Sequence, residues 1–282
     1  MLVSGKNILN DAKKNKYAVG AFNVINDVMI RATVDAAVEL QSPIILEFAE
    51  IHFKHSDFEL IAKEVVTIAN RVEIPVALHL DHCKDFNNFI KAIKFGFTSF
   101  MYDGSSLPYE QNVKMTKQVT DIAHSLGYSV EGEIGHVGEG VEYDLPQTSK
   151  LFTTPEDASK FAKETGIDFM AVAFGSAHGI YKSKPNLDIN LLKKINNVVD
   201  ILLVLHGGSR LTDDDFKNCI KNGICKINYF TELSLIAKYA IRELINDNDN
   251  IVGYPEILDA SYKVIKERVK NRILLFGSNG MA

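Results

Sequence analysis

Eight short apolar runs recur along the chain: "AVGAFNV" (18–24), "SPIILEFA" (42–49), "PVALHLDH" (75–82), "TSFMYDG" (98–104), "SVEGEIG" (129–135), "FMAVAFG" (169–175), "ILLVLHGG" (201–208) and "CKINYF" (225–230). Most are continuously apolar rather than alternating. That is the pattern of parallel strands covered by helices on one face and by a barrel core on the other. Amphipathic segments of helical length lie between them, among them 57–71, 85–95, 110–126, 155–165 and 213–222. Several start on acidic or Ser/Thr residues and end near Gly96, Gly127, Gly166 or Gly223, which matches cap chemistry at both ends. Strands alternating with helices in this way predict an α/β fold, a single (β/α)8 TIM barrel forming one domain over residues 1–282. An open doubly wound sheet is the structural alternative. No linker, low-complexity tract or heptad array interrupts the pattern, and "INDNDN" (245–250) reads as a solvated loop between helices.

Polar residues fall where such a barrel would use them. Asn23, Asp81, His82, Asp103, Glu133, His178, His206 and Asn228 stand at or just beyond the carboxyl ends of different runs. Loops at those ends ring the active face of a barrel, so these residues are expected to converge. Three histidines from three strand ends, His82, His178 and His206, offer a metal three nitrogens and leave a position open, as catalytic sites do. Asp81 beside them fits either of two roles. It could exchange a proton with a substrate hydroxyl, or it could orient a ligand histidine. By strand parity His79 shares the face of Asp81, whereas His82 falls on the opposite parity. His79 reads as a packed core histidine, with support of a ligand as the alternative; His52 and His55 read as surface residues, with a loop or substrate-facing role as the alternative; His124 reads as a surface residue. His136 is left open.

Composition narrows the class. The net charge of −5 excludes a general nucleic-acid binder, while leaving room for a local site for a small phosphorylated ligand. Three cysteines without a C-x-x-C point to a reducing cytoplasm rather than a disulfide framework. The opening "MLVSGKNILNDAKKNKYAVG" is too polar for a secretory h-region. No apolar run approaches the roughly 18–20 residues that cross a bilayer, so no membrane partner is expected. Glycine directly follows two of the histidines in "AHGIYK" and "HGGSR", which lets backbone N–H groups approach an anion, with Lys182 and Ser209 at hand. Asn228 and Thr231 in "KINYFTEL" mark the eighth strand end and a helix start. Barrels bind phosphate where the loops after strands seven and eight meet a helix N-terminus.

With these motifs in place, the chain resembles the class II, metal-dependent ketose-bisphosphate aldolases. The resemblance runs in order through "GAFNV", "HLDHC", "FMYDGSSLPYEQN", "VEGEIGHVG", "AHGIYK", "LHGGS", "KINYFTEL" and "FGS". It implies a zinc ion, or another divalent metal, on His82, His178 and His206, with Asp81 as acid–base for the hydroxyl next to the cleaved bond. It implies an alternate metal position at Asp103 and Glu133. The phosphate of the dihydroxyacetone-phosphate half would lie among Gly179, Lys182, Gly207, Ser209, Asn228 and Thr231, near a monovalent cation (Na+ or K+). Cleavage leaves an enediolate whose charge a Lewis-acid metal stabilises. A mobile-loop glutamate shuttles the carbon-bound proton; Glu139 and Glu142 both qualify, and Glu142 is preferred. The family also implies a homodimer or homotetramer acting on a small phosphorylated sugar.

Departures from the family cluster on the aldehyde side. The usual "DPR…R" stretch that holds a distal phosphate is here "NIVGYPEILDAS", with Pro255 and Asp259 near the arginine positions. Arg210 stands where the family has the last glycine of "HGGSG", so it and Asn23 are further substrate candidates. "EFAEIHF" replaces a Ser/Gly-rich segment, and Phe230 replaces aspartate or alanine. These features predict an aldolase that takes a ketose 1-phosphate or a 1,6-bisphosphate, with an aldehyde half that need not carry a phosphate. Within the class the alternative is a fructose- or tagatose-1,6-bisphosphate aldolase proper. Outside it stand a Schiff-base lyase using Lys226, expected near the wrong face, and a non-catalytic metal- and phosphate-binding barrel.

Overall fold

Eight parallel strands close on one another in sequence order: β1 (Val19–Asn23), β2 (Ile44–Ala49), β3 (Val76–Cys83), β4 (Ser99–Tyr102), β5 (Ser129–Ile134), β6 (Phe169–Val172), β7 (Leu202–Leu205) and β8 (Ile224–Tyr229). The computed structural model describes residues 1–135, 152–179, 185–209, 211–246 and 252–282. Each predicted apolar run overlaps one strand, with β3 running one residue past its run at Cys83 and β8 starting one residue before its run at Ile224. Ladder pairing stops before the polar and glycine residues at several run ends, such as Gly135, Gly175 and His206–Gly208, because these turn into loops.

Helices follow the strands as the amphipathic pattern predicts: α2 (Asp27–Glu39), α3 (Phe58–Ala69), α4 (Phe86–Phe95), α5 (Tyr109–Ser125), α6 (Pro155–Thr165), α7 (Ile189–Val198), α8 (Asp213–Lys221), α9 (Thr231–Asn246) and α10 (Tyr254–Phe276). Side chains of Asp57, Asp85, Thr154 and Thr212 accept backbone N–H bonds at four helix starts. Such caps contribute about 1 kcal/mol each. Outside the alternation, α1 (Gly5–Asn15) closes the amino-terminal mouth of the barrel with Ile8, Leu9 and Ala12.

Strand parity divides the core. One set of side chains, including Phe22, Leu46, Phe48, Leu78, Leu80 and Phe100, packs outward under the helices. The other set faces inward. Its lower layer is apolar, with Val19, Ala21, Ile45, Ala77, Phe169 and Val204 against α1. Continuing upward on the same parity come Asn23, Glu47, His79, Asp81, Asp103, Glu131, Glu133, His206, Lys226 and Asn228, all buried. Dry packing below and polar groups above set the floor of the site.

Candidate active site

One residue breaks the parity, and the site depends on it. His82 should point outward on a regular strand, yet its φ is +46° and the β3–β4 register shifts between Leu80 and Cys83. A left-handed backbone at a non-glycine residue costs about 1–3 kcal/mol. The irregularity brings the His82 ring into the mouth beside Asp81. There its Nδ1 lies 3.0 Å from Asp103 Oδ2. His206 enters from the end of β7 and His178 from the loop after β6. One nitrogen from each of the three histidines lies within 4.8 Å of the others. Gly207 makes this approach feasible: its φ is +69°, and an added Cβ would stand 2.2 Å from the carbonyl oxygen of Ala177.

The carboxylates divide their work. Asp103 holds His82, whereas Asp81 Oδ1 is 3.9 Å from His82 Nε2. Asp81 instead accepts from Asn23 Nδ2 at 2.8 Å and Asn228 Nδ2 at 3.2 Å. Of the two roles open to Asp81, the geometry therefore favours proton transfer over orienting His82. Burial alone would raise the Asp81 pKa, but His82, His206 and Lys226 outweigh it and hold the group below the usual carboxylate range. For His82, burial opposes charge, and Asp81 with Asp103 and Glu133 overcomes it, pushing the pKa up to about 10. Burial and the neighbouring His82 keep His178 and His206 well below 6.5, so both are neutral.

A cavity of about 700 Å³ opens over these groups. Gly179, Gly207, Ser209, Asn228 and Thr231 line it, as do Asn23, Asp81, His82, Asp103, Glu133 and His178. Lys182, Arg210, His136, Glu139 and Glu142 lie outside the described residues. Of the two readings of His52, surface or substrate-facing, the structure agrees with the second: it belongs to the cavity wall, its ring 4.6 Å from that of Phe230. Pro255 and Asp259 are exposed at the start of α10 and do not line the cavity.

Beneath the mouth lie three charged residues, Lys226 and two glutamates to which the sequence gave no role, Glu47 and Glu131. Lys226 was expected near the wrong face. It is fully buried inside the barrel, its Nζ 2.7 Å from both Glu47 and Glu131. For two of them the signal was in the sequence: Glu131 shares inward parity with Glu133, and Lys226 with Asn228, each two positions later.

A family model described as "Fructose-bisphosphate aldolase class-II" matches residues 3–281. The chain belongs to this family. It is a class II aldolase, a lyase of carbon–carbon bonds. It is 38% identical to a sulfofructosephosphate aldolase of Alkalicoccus urumqiensis, over 99% of this chain and 98% of the relative. It is also 38% identical to a fructose-bisphosphate aldolase of Staphylococcus aureus, over 100% and 99% of the two chains. The crystal structure of the YdjI aldolase from Escherichia coli K12 superposes with a TM-score of 0.90 at 35% identity, covering all of both chains. Among the described residues no helix is long and apolar enough to cross a membrane.

Class II aldolases depend on a metal, and the donor set of this aldolase fits one. Asp103 accepts from His82 Nδ1, and Glu131 accepts from His206 Nε2 at 2.7 Å. Each ring therefore turns its other nitrogen toward its partner, and these two atoms, His82 Nε2 and His206 Nδ1, are 3.0 Å apart. Two facing lone pairs repel unless a proton or a cation lies between them. A divalent cation held by both nitrogens would relieve that repulsion. The buried Oδ1 of Asn228 also lacks a hydrogen-bond partner among the described residues. By contrast, the Lys226 ammonium is unsuited to imine chemistry. Burial opposes its charge, but Glu131 and Glu47 raise its pKa further above the ordinary lysine value, leaving no free lone pair.

A pH prediction follows for His82. Without metal its pKa of about 10 exceeds the unfolded value of about 6.5. The protonated ring therefore stabilises the metal-free fold fully below about pH 6.5, and this contribution is lost as pH rises through about 10. A ligand nitrogen must be unprotonated, so metal uptake near pH 7.5 should release about one proton. Calorimetric titration in buffers of different ionisation enthalpy measures this number. No release at pH 7.5 would contradict the assignment of His82 as a ligand.

Proposed function

We propose that this aldolase reversibly cleaves a ketose 1-phosphate to dihydroxyacetone phosphate and an aldehyde that needs no phosphate of its own. Zinc is the proposed metal, held by His82, His178 and His206; when bound, it supplies Lewis-acid stabilisation of the negative charge that carbon–carbon cleavage leaves. Asp81, aimed by Asn23 and Asn228, takes the proton of the hydroxyl next to the cleaved bond and returns it in the condensation direction. Gly179 and Gly207 offer backbone N–H groups to the substrate phosphate. Ser209 and Thr231 add hydroxyls, and Thr231 opens α9, whose N-terminus favours an anion. Glu142 is the proposed carrier of the carbon-bound proton. His82, Asp103 and Glu133, whose ligand atoms lie within 4.8 Å of one another, are the proposed alternate metal position.

One observation carries the aldehyde assignment. Among the described residues lining the cavity, Lys84 is the sole lysine or arginine, and its side chain is 63% exposed and 3.9 Å from Asp103. Glu50 adds a carboxylate alongside, accepting from the Lys84 backbone N–H at 2.6 Å. The His52–Phe230 wall, with His52 neutral because burial lowers its pKa, suits an uncharged hydroxylated chain better than a phosphate. The second reading is a bisphosphate aldolase. It draws on the names of the staphylococcal relatives and would make Arg210 the replacement anchor.

The test is release of dihydroxyacetone phosphate from a panel of ketose 1-phosphates and 1,6-bisphosphates, with and without prior chelation. Chelator-sensitive cleavage of monophosphates at rates comparable to their bisphosphate analogues is expected. A preference of a hundredfold or more for a bisphosphate, about 2.7 kcal/mol of recognition, would overturn the aldehyde assignment and favour the second reading.

A further inference from the structure

The metal-facing and proton-transferring groups meet through a buried chain of contacts below the cavity. His206 Nε2 donates to Glu131 Oε1 at 2.7 Å, and Glu131 Oε2 accepts from Lys226 Nζ at 2.7 Å. The same ammonium lies 2.7 Å from Glu47 Oε1. Glu47 Oε2 accepts from Asn23 Nδ2 at 3.1 Å, and that amide nitrogen also donates to Asp81 Oδ2 at 2.8 Å. The backbone N–H of Ala49 donates to Asn23 Oδ1 at 2.9 Å, which fixes the orientation of the amide. Glu47, His79, Glu131, His206 and Lys226 have no exposed surface. These contacts join β1, β2, β3, β5, β7 and β8 across the barrel interior.

We infer that Lys226 is a positioning residue that sets both halves of the site at once. Through Glu131 it holds His206 in the tautomer that presents Nδ1 to the metal. Through Glu47 and Asn23 it aims the carboxylate of Asp81. The physical case rests on what each member can do. A carboxylate only accepts, so Glu131 obliges His206 Nε2 to carry the hydrogen, and a ring fixed in this way is a better ligand than one free to flip. Glu131 would not stay on His206 unaided, because a buried anion requires a partner. Lys226 is that partner. His79 completes the enclosure, with Nδ1 2.7 Å from Ser99 Oγ and Nε2 3.5 Å from Glu131 Oε2, which blocks Glu131 from turning downward. A lysine kept only for stability would need one carboxylate. This one spans two, and each leads to a different working part.

The inference rests on the proposed metal site, and its test separates the two. Glu131→Gln keeps the volume while weakening the hold on His206. The double variant Lys226→Met/Glu47→Gln keeps the volumes similar, removes the ammonium together with one of its two carboxyl partners, and leaves Glu131 buried without its cation, so its melting temperature is read beside its activity. For the wild type and both variants, zinc affinity is measured by competition with a chromophoric chelator and the melting temperature by circular dichroism. The kcat and KM for the sugar phosphate are then measured at saturating zinc. Zinc binding about 10- to 100-fold weaker in both variants is expected, as for the loss of other partners of ligand histidines. The double variant should also lose tenfold or more in kcat at saturating zinc with KM little changed, since Asp81 has lost its aim. Variants that melt early yet bind zinc and turn over like the wild type would assign the cluster to stability and overturn the inference while leaving the proposed function standing. A wild type that binds no divalent metal would overturn both.

Discussion

Replacing Asp81 with asparagine is expected to lower kcat for cleavage by about 10²- to 10⁴-fold, the usual contribution of a positioned acid–base, while zinc content stays at the wild-type level. The substitution preserves size and removes charge. In the folded protein Asp81 is buried and accepts from two amide nitrogens, one on β1 and one on β8, so its two oxygens are fully directed. Asparagine can satisfy one of those donors but cannot take a proton from a substrate hydroxyl. The zinc measurement separates the two roles that the sequence left open. A carboxylate that merely oriented a ligand would lower metal affinity when replaced. One that moves the proton would lower turnover in a metal-loaded enzyme. Because Asp103, and not Asp81, lies within hydrogen-bond distance of the His82 ring, the second outcome is expected. Turnover within tenfold of wild type would remove Asp81 from the chemistry.

Loss of metal is expected to have the other large effect. Chelation should abolish cleavage and zinc should restore it. His178→Ala should do the same without restoration at stoichiometric zinc. His178 is the informative ligand to remove because the other two are embedded in carboxylate contacts, whereas His178 comes from a loop and its ring packs edge-on against His82 and His206. A metal at a hundred times its dissociation constant stabilises the fold by about 2.7 kcal/mol, which for a chain of this size raises the melting temperature by about 4–5 °C. The variant should melt with the metal-free wild type and show no such rise on adding zinc. A full thermal shift in His178→Ala would mean that the metal is held elsewhere, with the His82, Asp103 and Glu133 group the first place to examine.

The barrel itself was legible because its signals are local. Each apolar run is dictated by the need to bury a strand on both faces, and the helices by amphipathic stripes, several of them with a side-chain cap at the start. Most of the mouth was legible for the same reason: a polar residue that ends an apolar run stands at a strand terminus wherever that strand goes. His82 was placed in the site through its neighbours, although parity argued against it. The backbone turn that resolves this conflict is held by Asp103, 21 residues away, and no local pattern announces it. His52 was undecided for a similar reason. Its segment reads as a polar loop, and its place in the cavity comes from packing against Phe230 on the far side of the sequence.

The sequence by itself determined the alternation of strands and helices, and the strand ends at which three histidines and an aspartate come together. Only the tertiary structure decided which partner each of these groups answers to. Lys226 draws together Glu47 and Glu131, and through them Asn23, Asp81 and His206, from strands dispersed along the chain. The reason is physical. Burial and periodicity act on residues close in sequence, whereas a charge withdrawn from water must find its counter-charge in space, and that choice exists only once the barrel has closed.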